Sequence, residues 1–583
     1  MRALFIVRDL ASAEPLGLMQ LAALLQGAGH QVRLVGARAT RLAPVMDAFA
    51  PDLVGYSACT GLHRYLIRLN RWLKSRWRFV SVFGGPHPTF FPEMIAEEGV
   101  DAVCRGEGDG AILDIAAAIE AGRPLDEIAN LWVKTPDGAG SHSGYVVPPS
   151  GGVRSSAFRR SPGPPADPAP AGSSSGEEQG TPEGSIRTPP KGGTTYPDLG
   201  GGIRQNPLRP LVADLDSLPF PDRDVRHEGD PASRDYPVKS FLASRGCPFR
   251  CSYCFNVGYA ALYGPEWCHV RTRSVGNVLA EIRTVRAASR LEFVQFRESI
   301  FPWQEDWLGE FTERYRAEIG LPFYCHVRAD LLTERRVALL RRAGCVSVNM
   351  GIECGDEDYR REMLDRPMTD AQIIEACRLL KAHGIRILAD NMLGLPGAGI
   401  ETDWKTLRLN QQCGIDYPLA MLFQPYPGTE LARRAVAAGH FDGSYDQIEY
   451  NYYFRSPLAF RSERERFETE NLQKFFAILV EAPWLERLVR PLLSRRPNLT
   501  FLCLFRAWYI YGYTRRIVPH RLSLRELREL GRSLFGLYPP EANDECLEED
   551  GPLAGARGDA PGGAHREPVH HGVRRKRGEE ARA

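Results

Sequence analysis

The apolar positions of residues 1–133 fall into short runs separated by segments with helical periodicity. The runs are Ala3–Arg8, Gln31–Gly36, Asp52–Ser57, Phe79–Phe83 and Asp101–Cys104. Strands that alternate with helices predict βαβ units, and therefore a parallel sheet with helices on both faces. No GxGxxG sequence follows the first run, which removes the main support for a nicotinamide-binding site.

The next segment has a different composition. Gly, Pro and Ser make up more than half of residues 141–200. Such a segment buries too little apolar surface to offset its ordering entropy, so we predict disorder there. We therefore divide the chain into a domain over 1–135, a disordered linker over 136–207, and a larger second part.

The second part again alternates strands and helices. Six apolar runs are separated by helical segments: Val238–Ser244, Leu291–Phe296, Phe323–Arg328, Cys345–Met350, Ile385–Asn391 and Leu419–Gln424. This pattern predicts a partial (β/α) barrel over 208–430, with its chemistry at the carboxyl ends of the strands. The pattern over 431–540 predicts a helical C-terminal region, and 541–583 is predicted to be a disordered tail.

Composition excludes several classes of protein. The 583 residues include 73 Lys and Arg against 72 Asp and Glu, so no overall positive field favours nucleic acid. No apolar run approaches 18 residues, so we expect no transmembrane segment. The apolar run before Arg8 is too short for a signal peptide. We therefore expect a cytoplasmic protein, in which clustered cysteines indicate metal ligands or catalytic groups rather than disulfides.

One cysteine cluster follows the first strand of the predicted barrel. Cys247, Cys251 and Cys254 form a CxxxCxxC pattern. Three thiolates on one loop can hold three corners of an iron–sulfur cube, and they leave one iron open for a substrate. The alternative is a structural zinc site completed by Cys268 and His269. The position after a barrel strand favours the cluster.

This segment resembles the radical S-adenosylmethionine (SAM) superfamily over about residues 236–430. The resemblance implies a [4Fe–4S] cluster on the three cysteines, with SAM bound to the fourth iron. It also implies SAM contacts at the ends of successive strands. The expected contacts are Tyr253 and the backbone of Gly394 and Gly397 with the adenine, Glu298 with the ammonium, Arg328 with the carboxylate, and Glu353 with the ribose.

The N-terminal domain then resembles the cobalamin-binding domain that accompanies one class of radical SAM enzymes. That resemblance implies a Rossmann-like fold and a cobalamin nucleotide tail beside the strand ends. Ser57 and Thr60 follow the third strand, Gly84 and Gly85 follow the fourth, and Glu107 lies in the turn after the fifth. Glycines allow a ligand to approach the backbone, and the carboxyl edge of such a sheet is where ligands lie.

The loop after the first strand departs from one cobalamin-binding pattern. Modules of the methionine-synthase type carry a cobalt-ligating histidine there, but residues 8–14 contain none. His87 is the only other nearby candidate. We expect cobalamin to bind with no protein histidine on cobalt.

The combined prediction is an α/β protein with a Rossmann-like cobalamin-binding domain, a partial (β/α)6 TIM-like radical SAM barrel and a helical C-terminal region. The expected activity is methylation of an unactivated carbon in a small molecule, with electrons from a flavodoxin or ferredoxin. The first alternative is a cyclase or rearrangement enzyme that binds cobalamin without net methyl transfer. A cobalamin sensor or an electron-transfer protein is the alternative from another class. For Phe501–Tyr513, we expect a core or substrate-covering helix rather than a membrane contact.

Overall fold

The computed structural model describes two mainly parallel sheets, each covered by helices, and a helical C-terminal region. It describes residues 1–8, 10, 14–135, 202–445, 448 and 453–519. The tail predicted over 541–583 and the last part of the predicted helical region lie outside the described residues.

The first domain is built on a seven-stranded sheet. Its strands are β1 (Arg2–Val7), β2 (Gln31–Gly36), β3 (Leu53–Ser57), β4 (Val80–Gly84), β5 (Ala102–Cys104), β6 (Leu131–Lys134) and β7 (Ile203–Gln205). They lie in the order β2-β1-β3-β4-β5-β6-β7, and the first five in this order are parallel. The helices of this domain are α1 (Leu16–Gly27), α2 (Ala39–Phe49), α3 (His63–Lys74), α4 (Pro86–Phe90) and α5 (Asp109–Glu120).

The helices cover both faces of this sheet, as the alternating pattern predicts. On one face, Met19 of α1 and Ile115 of α5 belong to the same buried cluster as Phe5 of β1. On the other face, residues of α2 and α3 pack with Tyr56 of β3. Because both faces are buried, the strands are nearly continuous apolar runs, which is why the sequence identifies them.

The predicted linker over 136–207 requires a correction at its end. Ile203–Gln205 forms β7, which pairs antiparallel with β6 and places Ile203 opposite Lys134. The Gly/Pro/Ser-rich segment therefore connects two neighbouring strands of one sheet. The sequence does not reveal β7, because its three residues are half-buried or exposed and form no apolar run. Residues 136–201 lie outside the described residues, so their disorder stays a prediction.

The second domain is an open parallel barrel. Its six strands, in spatial and chain order, are β8 (Val238–Phe241), β11 (Phe293–Phe296), β12 (Phe323–Val327), β13 (Cys345–Glu353), β14 (Arg386–Leu393) and β15 (Tyr417–Leu422). A short antiparallel ribbon, β9 (Ser244–Arg245) and β10 (Arg271–Thr272), follows the first of them. The helices of this part are α6 (Asp224–Gly229), α7 (Asn256–Tyr263), α8 (Val275–Ala288), α9 (Glu305–Glu318), α10 (Glu334–Ala343), α11 (Glu357–Glu362), α12 (Asp370–Ala382), α13 (Ile400–Cys413) and α14 (Glu430–Ala437).

The C-terminal region completes this open barrel. It consists of α15 (Glu463–Glu481), α16 (Glu486–Leu493), α17 (Leu499–Gly512) and a π-helical turn (Tyr513–Ile517). Inside the barrel, Ile517 and Val518 pack with Phe293 and Tyr324 of the strands and with Ala477 of α15. The C-terminal region therefore supplies part of the barrel interior. Within α17 itself, Leu502 and Phe505 are buried, in agreement with the expected core role of this helix.

Candidate active site and cofactor sites

The cysteine loop lies between β9 and α7, at the carboxyl end of the first barrel strand. Gly246 begins the loop with φ +100°, and a Cβ there would lie 2.9 Å from the carbonyl oxygen of His269. The backbone N–H of Ser252 donates to the carbonyl of Leu364 at 3.0 Å. A glycine at the first position and a backbone anchor in the middle fix the path of the three cysteines.

Two guanidinium groups surround the middle cysteine. Nη1 of Arg328 lies 3.5 Å from Cys251 Sγ, and Nη1 of Arg366 lies 3.6 Å from the same atom. Burial raises the pKa of the Cys247 thiol and raises that of Cys254 to about 12. The three thiols on one loop, with two fixed positive charges beside them, form a donor set that fits an iron–sulfur cluster. A site for a single metal ion is a different case from a cluster of several irons. Within the described part of the chain, no three His, Cys, Asp or Glu side chains lie close enough to bind one metal ion together.

Arg366 is a site residue that sequence reasoning missed. It lies between α11 and α12, and besides Cys251 it donates to the hydroxyl of Tyr253 at 3.3 Å and to the carbonyl of Gly351 at 2.5 Å. Its side chain is buried. An arginine in a connecting segment carries no periodic pattern, so only the fold reveals that it joins the cysteine loop to β13.

Tyr253 and Glu353, both predicted SAM contacts, lie together. The Tyr253 hydroxyl donates to Oε1 of Glu353 at 3.0 Å. Burial raises the pKa of Glu353 to about 7. Glu353 ends β13 at a register shift and has a φ of +69°. A non-glycine residue in this region is strained, and such strain concentrates at functional sites.

Arg328 and Glu298 occupy neighbouring strand ends. Arg328 stacks 3.8 Å above the ring of Phe249 and donates to Asp330 at 2.7 Å. Glu298 accepts from the Ala243 N–H at 3.3 Å, and burial raises its pKa to about 8. Oε1 of Glu298 is buried and has no hydrogen-bond partner among the described residues. This orphaned oxygen fits the predicted contact with the SAM ammonium, because a buried acceptor needs a donor.

The glycine loop after β14 is tied to the C-terminal region. Gly394 and Gly397 both have positive φ, of +66° and +75°. The N–H of Gly394 donates to Asp403 at 3.0 Å, and the Thr469 hydroxyl donates to the other oxygen of that carboxyl, also at 3.0 Å. Burial raises the pKa of Asp403 to about 7. The predicted adenine contact is therefore held by both α13 and α15.

Four of the predicted cobalamin contacts line one cavity at the carboxyl edge of the first sheet. The cavity has a volume of about 350 Å³, and Ser57, Gly84 and Gly85 are in its walls. A Cβ on Gly84 would meet nothing closer than a carbonyl oxygen at 4.0 Å, so this backbone is open towards its surroundings. Gly85 differs, because its φ is +101° and a Cβ would lie 2.9 Å from the carbonyl oxygen of Ala58. The unobstructed backbone at Gly84 leaves room for the nucleotide tail of cobalamin.

Thr60 and His87 lie together beneath this edge. Nδ1 of His87 lies 3.0 Å from the Thr60 hydroxyl, and its ring stacks on His63 with centroids 3.7 Å apart. The side chain of His87 is only 1% exposed, and burial holds its pKa well below the usual range. In the described structure, neither Thr60 nor His87 lines the cavity. This position agrees with the expectation that His87 does not ligate cobalt, which stays a prediction.

Glu107 also lines the cavity, but its carboxylate is bound by the barrel domain. Arg271 of β10 donates to both oxygens of Glu107, at 2.7 and 3.0 Å. Next to it, Arg245 of β9 donates to both oxygens of Asp109, at 2.9 and 3.1 Å. We call these two pairs the ribbon clamp. The sequence predicts Glu107 only as a cofactor contact, and the structure places it at the domain junction.

Two family models match the chain. The model of the radical SAM superfamily matches residues 241–409, and the model of the B12 binding domain matches residues 6–116. The fold and the position of the cysteine loop define a radical SAM enzyme. It belongs to the radical SAM enzymes that carry a B12-binding domain before the barrel, which confirms the predicted family and fold class.

Relatives and solved structures agree with this assignment. The chain is 24% identical to an uncharacterized methyltransferase of Pyrococcus horikoshii over 432 residues, which are 73% of this chain and 78% of that protein. It is 23% identical to the anaerobic magnesium-protoporphyrin IX monomethyl ester cyclase of Rubrivivax gelatinosus over 444 residues, 73% and 66% of the two chains. The fold is similar to that of the radical SAM methyltransferase TsrM from Kitasatospora setae, solved with cobalamin and a [4Fe–4S] cluster. That match has a TM-score of 0.56 at 15% identity and covers 91% of this chain and 99% of TsrM.

The cofactors of this enzyme are a [4Fe–4S] cluster, SAM and cobalamin, as predicted from the sequence. The cysteine loop, the orphaned oxygen of Glu298 and the open backbone at Gly84 each fit one of these groups. No helix in the described ranges is both long enough and apolar enough to span a membrane.

Proposed function

We propose that this enzyme transfers a methyl group to an unactivated carbon of a small molecule. One observation carries the proposal: the cavity beside Ser57 and Gly84 is also lined by Ser244 and Arg245, which lead directly into the cysteine loop. The two sites therefore share a wall. A substrate held between them meets a radical source on one side and a methyl source on the other.

The residues of the chain have distinct tasks in this proposal. Cys247, Cys251 and Cys254 hold the cluster, and Arg328 and Arg366 stabilise the negative charge of its sulfur ligands. When bound, the three cofactors supply a carbon-centred radical and a transferable methyl group. Enclosure of the reacting groups between the two domains would keep water and side reactions away from such a radical.

The SAM contacts are proposed from the positions of these residues at the carboxyl ends of the barrel strands. Glu298 accepts from the ammonium, Arg328 donates to the carboxylate and Glu353 accepts from the ribose. Tyr253 and the backbone of Gly394 and Gly397 hold the adenine. The hydrogen bond from Tyr253 to Glu353 orients both side chains. In the first domain, Ser57 and Gly84 hold the nucleotide tail, and Gly85 fixes the turn that presents them.

The name of one relative supports a second candidate function, which is radical cyclisation. The similar protein of Rubrivivax gelatinosus is named a cyclase, whereas that of Pyrococcus horikoshii is named a methyltransferase. We propose a small-molecule substrate for either activity, since TsrM has also been solved with a tryptophan substrate bound. We further propose a flavodoxin or ferredoxin as electron donor and a cytoplasmic site of action, because the cysteine ligands need a reducing compartment.

The test uses full-length protein reconstituted anaerobically with iron, sulfide and cobalamin, then reduced and supplied with SAM that carries a CD3 group. We expect about one [4Fe–4S] cluster per chain, formation of 5′-deoxyadenosine, and CD3-cobalamin in the visible and mass spectra. The variant with Cys247, Cys251 and Cys254 all changed to Ala should lose the cluster and the cleavage of SAM. Cys268→Ala is the matched control and should keep both.

The outcomes separate the candidates. Cleavage of SAM without methylation of cobalamin favours the cyclase. Cleavage of SAM by the triple variant contradicts the assignment of the cysteine loop. A single zinc ion that is lost in Cys268→Ala identifies the alternative zinc site.

A further inference from the structure

Trp484 and Leu488 project from the C-terminal region into solvent. Their side chains are 72% and 65% exposed, the largest values for any large apolar residue in the described chain. Leu488 lies in α16, and Trp484 lies four residues earlier, in the 3-10 turn Pro483–Leu485 that leads directly into this helix. The opposite side of α16 is anchored, because Val489 and Leu493 are buried in the cluster that includes Phe476 of α15.

Three arginines accompany these side chains. Arg487 lies between them in the sequence, and Arg495 and Arg496 follow the end of α16; all three are exposed. Within the described structure none of the three forms an ion pair. The only acid from 482 to 500 is Glu486, which already pairs with Arg408 and Arg490. The segment from Trp484 to Arg496 therefore exposes both large apolar and positively charged side chains.

The chemistry of this surface matches that of interfacial helices. Such helices expose Trp and Leu on one face and Arg or Lys beside them, and they lie in the plane of a membrane. Tryptophan in particular favours the level of the lipid headgroups. A second copy of the same surface fits poorly, because an isologous contact would bring like-charged arginines together. An acidic protein would form ion pairs with the arginines, but its charges do not explain why the apolar side chains of Trp484 and Leu488 are exposed.

We propose that this surface, formed by Trp484, Arg487, Leu488, Arg495 and Arg496, docks on an anionic lipid surface. Trp484 and Leu488 insert among the headgroups, and the arginines contact the lipid phosphates. The contact is peripheral, since α16 has only eight residues. The proposal does not depend on the reaction that the enzyme catalyses.

The experiment measures co-sedimentation of the full-length protein with vesicles. We expect binding to vesicles of phosphatidylcholine with phosphatidylglycerol, weakening as salt is added, and little binding to phosphatidylcholine alone. The double variant Trp484→Ser/Leu488→Ser should lower the partition coefficient at least about tenfold, because the inserted apolar area is lost. Changing Arg487, Arg495 and Arg496 to Gln should also lower it at least about tenfold and remove most of the salt dependence.

Matched controls keep the test specific. Val436→Ser removes another exposed apolar side chain, on α14, and Arg335→Gln removes an exposed arginine on α10; both should bind as the parent does. Trp484→Phe should retain binding but lose part of the blue shift in tryptophan emission that vesicles cause. Circular dichroism and cluster content confirm that each variant is folded.

Three results would overturn the proposal. One is unchanged vesicle binding by the serine double variant, and another is equal binding to uncharged vesicles. The third is no vesicle binding at all, with the surface instead required for self-association or for capture of an acidic flavodoxin. In that last case, the surface belongs to a protein interface.

Discussion

Arg245 and Asp109 form a bidentate ion pair that joins the barrel to the cobalamin-binding domain, with N–O distances of 2.9 and 3.1 Å. Arg245 stands two residues before Cys247, and Asp109 begins α5 directly after the turn that lines the cavity. With Arg271 and Glu107 beside it, the ribbon clamp fixes the start of the cysteine loop against the edge of the first sheet.

We predict that Arg245→Met weakens this junction without removing the cluster. Loss of the pair should lower the free energy of unfolding by about 2 kcal/mol, since Asp109 is left buried without its partner. It should also change the magnetic coupling between reduced cluster and cob(II)alamin in the EPR spectrum. The double exchange Arg245→Asp/Asp109→Arg should restore part of both. Arg283→Met breaks an exposed pair with Glu318 and should cost less than about 1 kcal/mol.

Gly84 and Gly85 should respond differently to substitution. Gly84→Val should fold normally but retain at least about tenfold less cobalamin, because its side chain enters open space beside the cavity. Gly85→Ala should instead lower stability by about 1–3 kcal/mol, through its positive φ and the contact with Ala58. Thermal unfolding and the visible spectrum of bound cobalamin measure the two effects. Normal cobalamin retention in Gly84→Val would contradict the nucleotide-tail site.

Replacing residues 136–201 with a short Gly/Ser loop should leave the enzyme intact. Lys134 and Ile203 are already opposite each other in the sheet, so a hairpin loop can join them. Shorter loop closure should raise stability by about 1–2 kcal/mol. A deletion that also removes 203–205 takes β7 from the edge of the sheet and should reduce the yield of soluble protein. Cleavage of SAM and the unfolding midpoint are measured for both deletions. Equal values for the two would show that β7 does not stabilise the sheet.

Stability should fall as the pH drops from 7 to 5, and His227 should account for part of the loss. Burial, with Lys239 and Arg234 nearby, lowers its pKa to about 4. In the unfolded chain this histidine is therefore protonated as the pH falls through about 6.5. In the folded chain it stays neutral until about pH 4. This difference costs about 2 kcal/mol at pH 5. In His227→Gln the pH dependence of the free energy of unfolding should be flatter by that amount, which chemical unfolding at a series of pH values measures.

The fold follows from the sequence wherever burial imposes a period. The helices α8 and α10 are readable in this way, because each has a regular buried stripe and a capping side chain, at Ser274 or Thr333. The cysteine loop is readable because its spacing is local. Pairing across long separations in the chain leaves no such pattern.

The parts that sequence reasoning missed share this property. Arg366 contacts Cys251 across 115 residues, and Arg245 pairs with Asp109 across 136. Arginine side chains are usually solvated, so nothing local distinguishes these two from the many exposed arginines of the chain. The same holds for β7, which is recognisable only by its partner β6.

Ile517 and Val518, which pack inside the barrel, also affect the order of biosynthesis. The strands that they contact begin at Val238, so a nascent chain makes all six strands long before the residues that fill the barrel leave the ribosome. Domains generally fold during synthesis from the N-terminus, and until that point the barrel has an exposed apolar lining. Completion of the barrel interior must therefore wait until residue 518 has emerged, which makes the final folding of this domain a late event that depends on the end of its helical region.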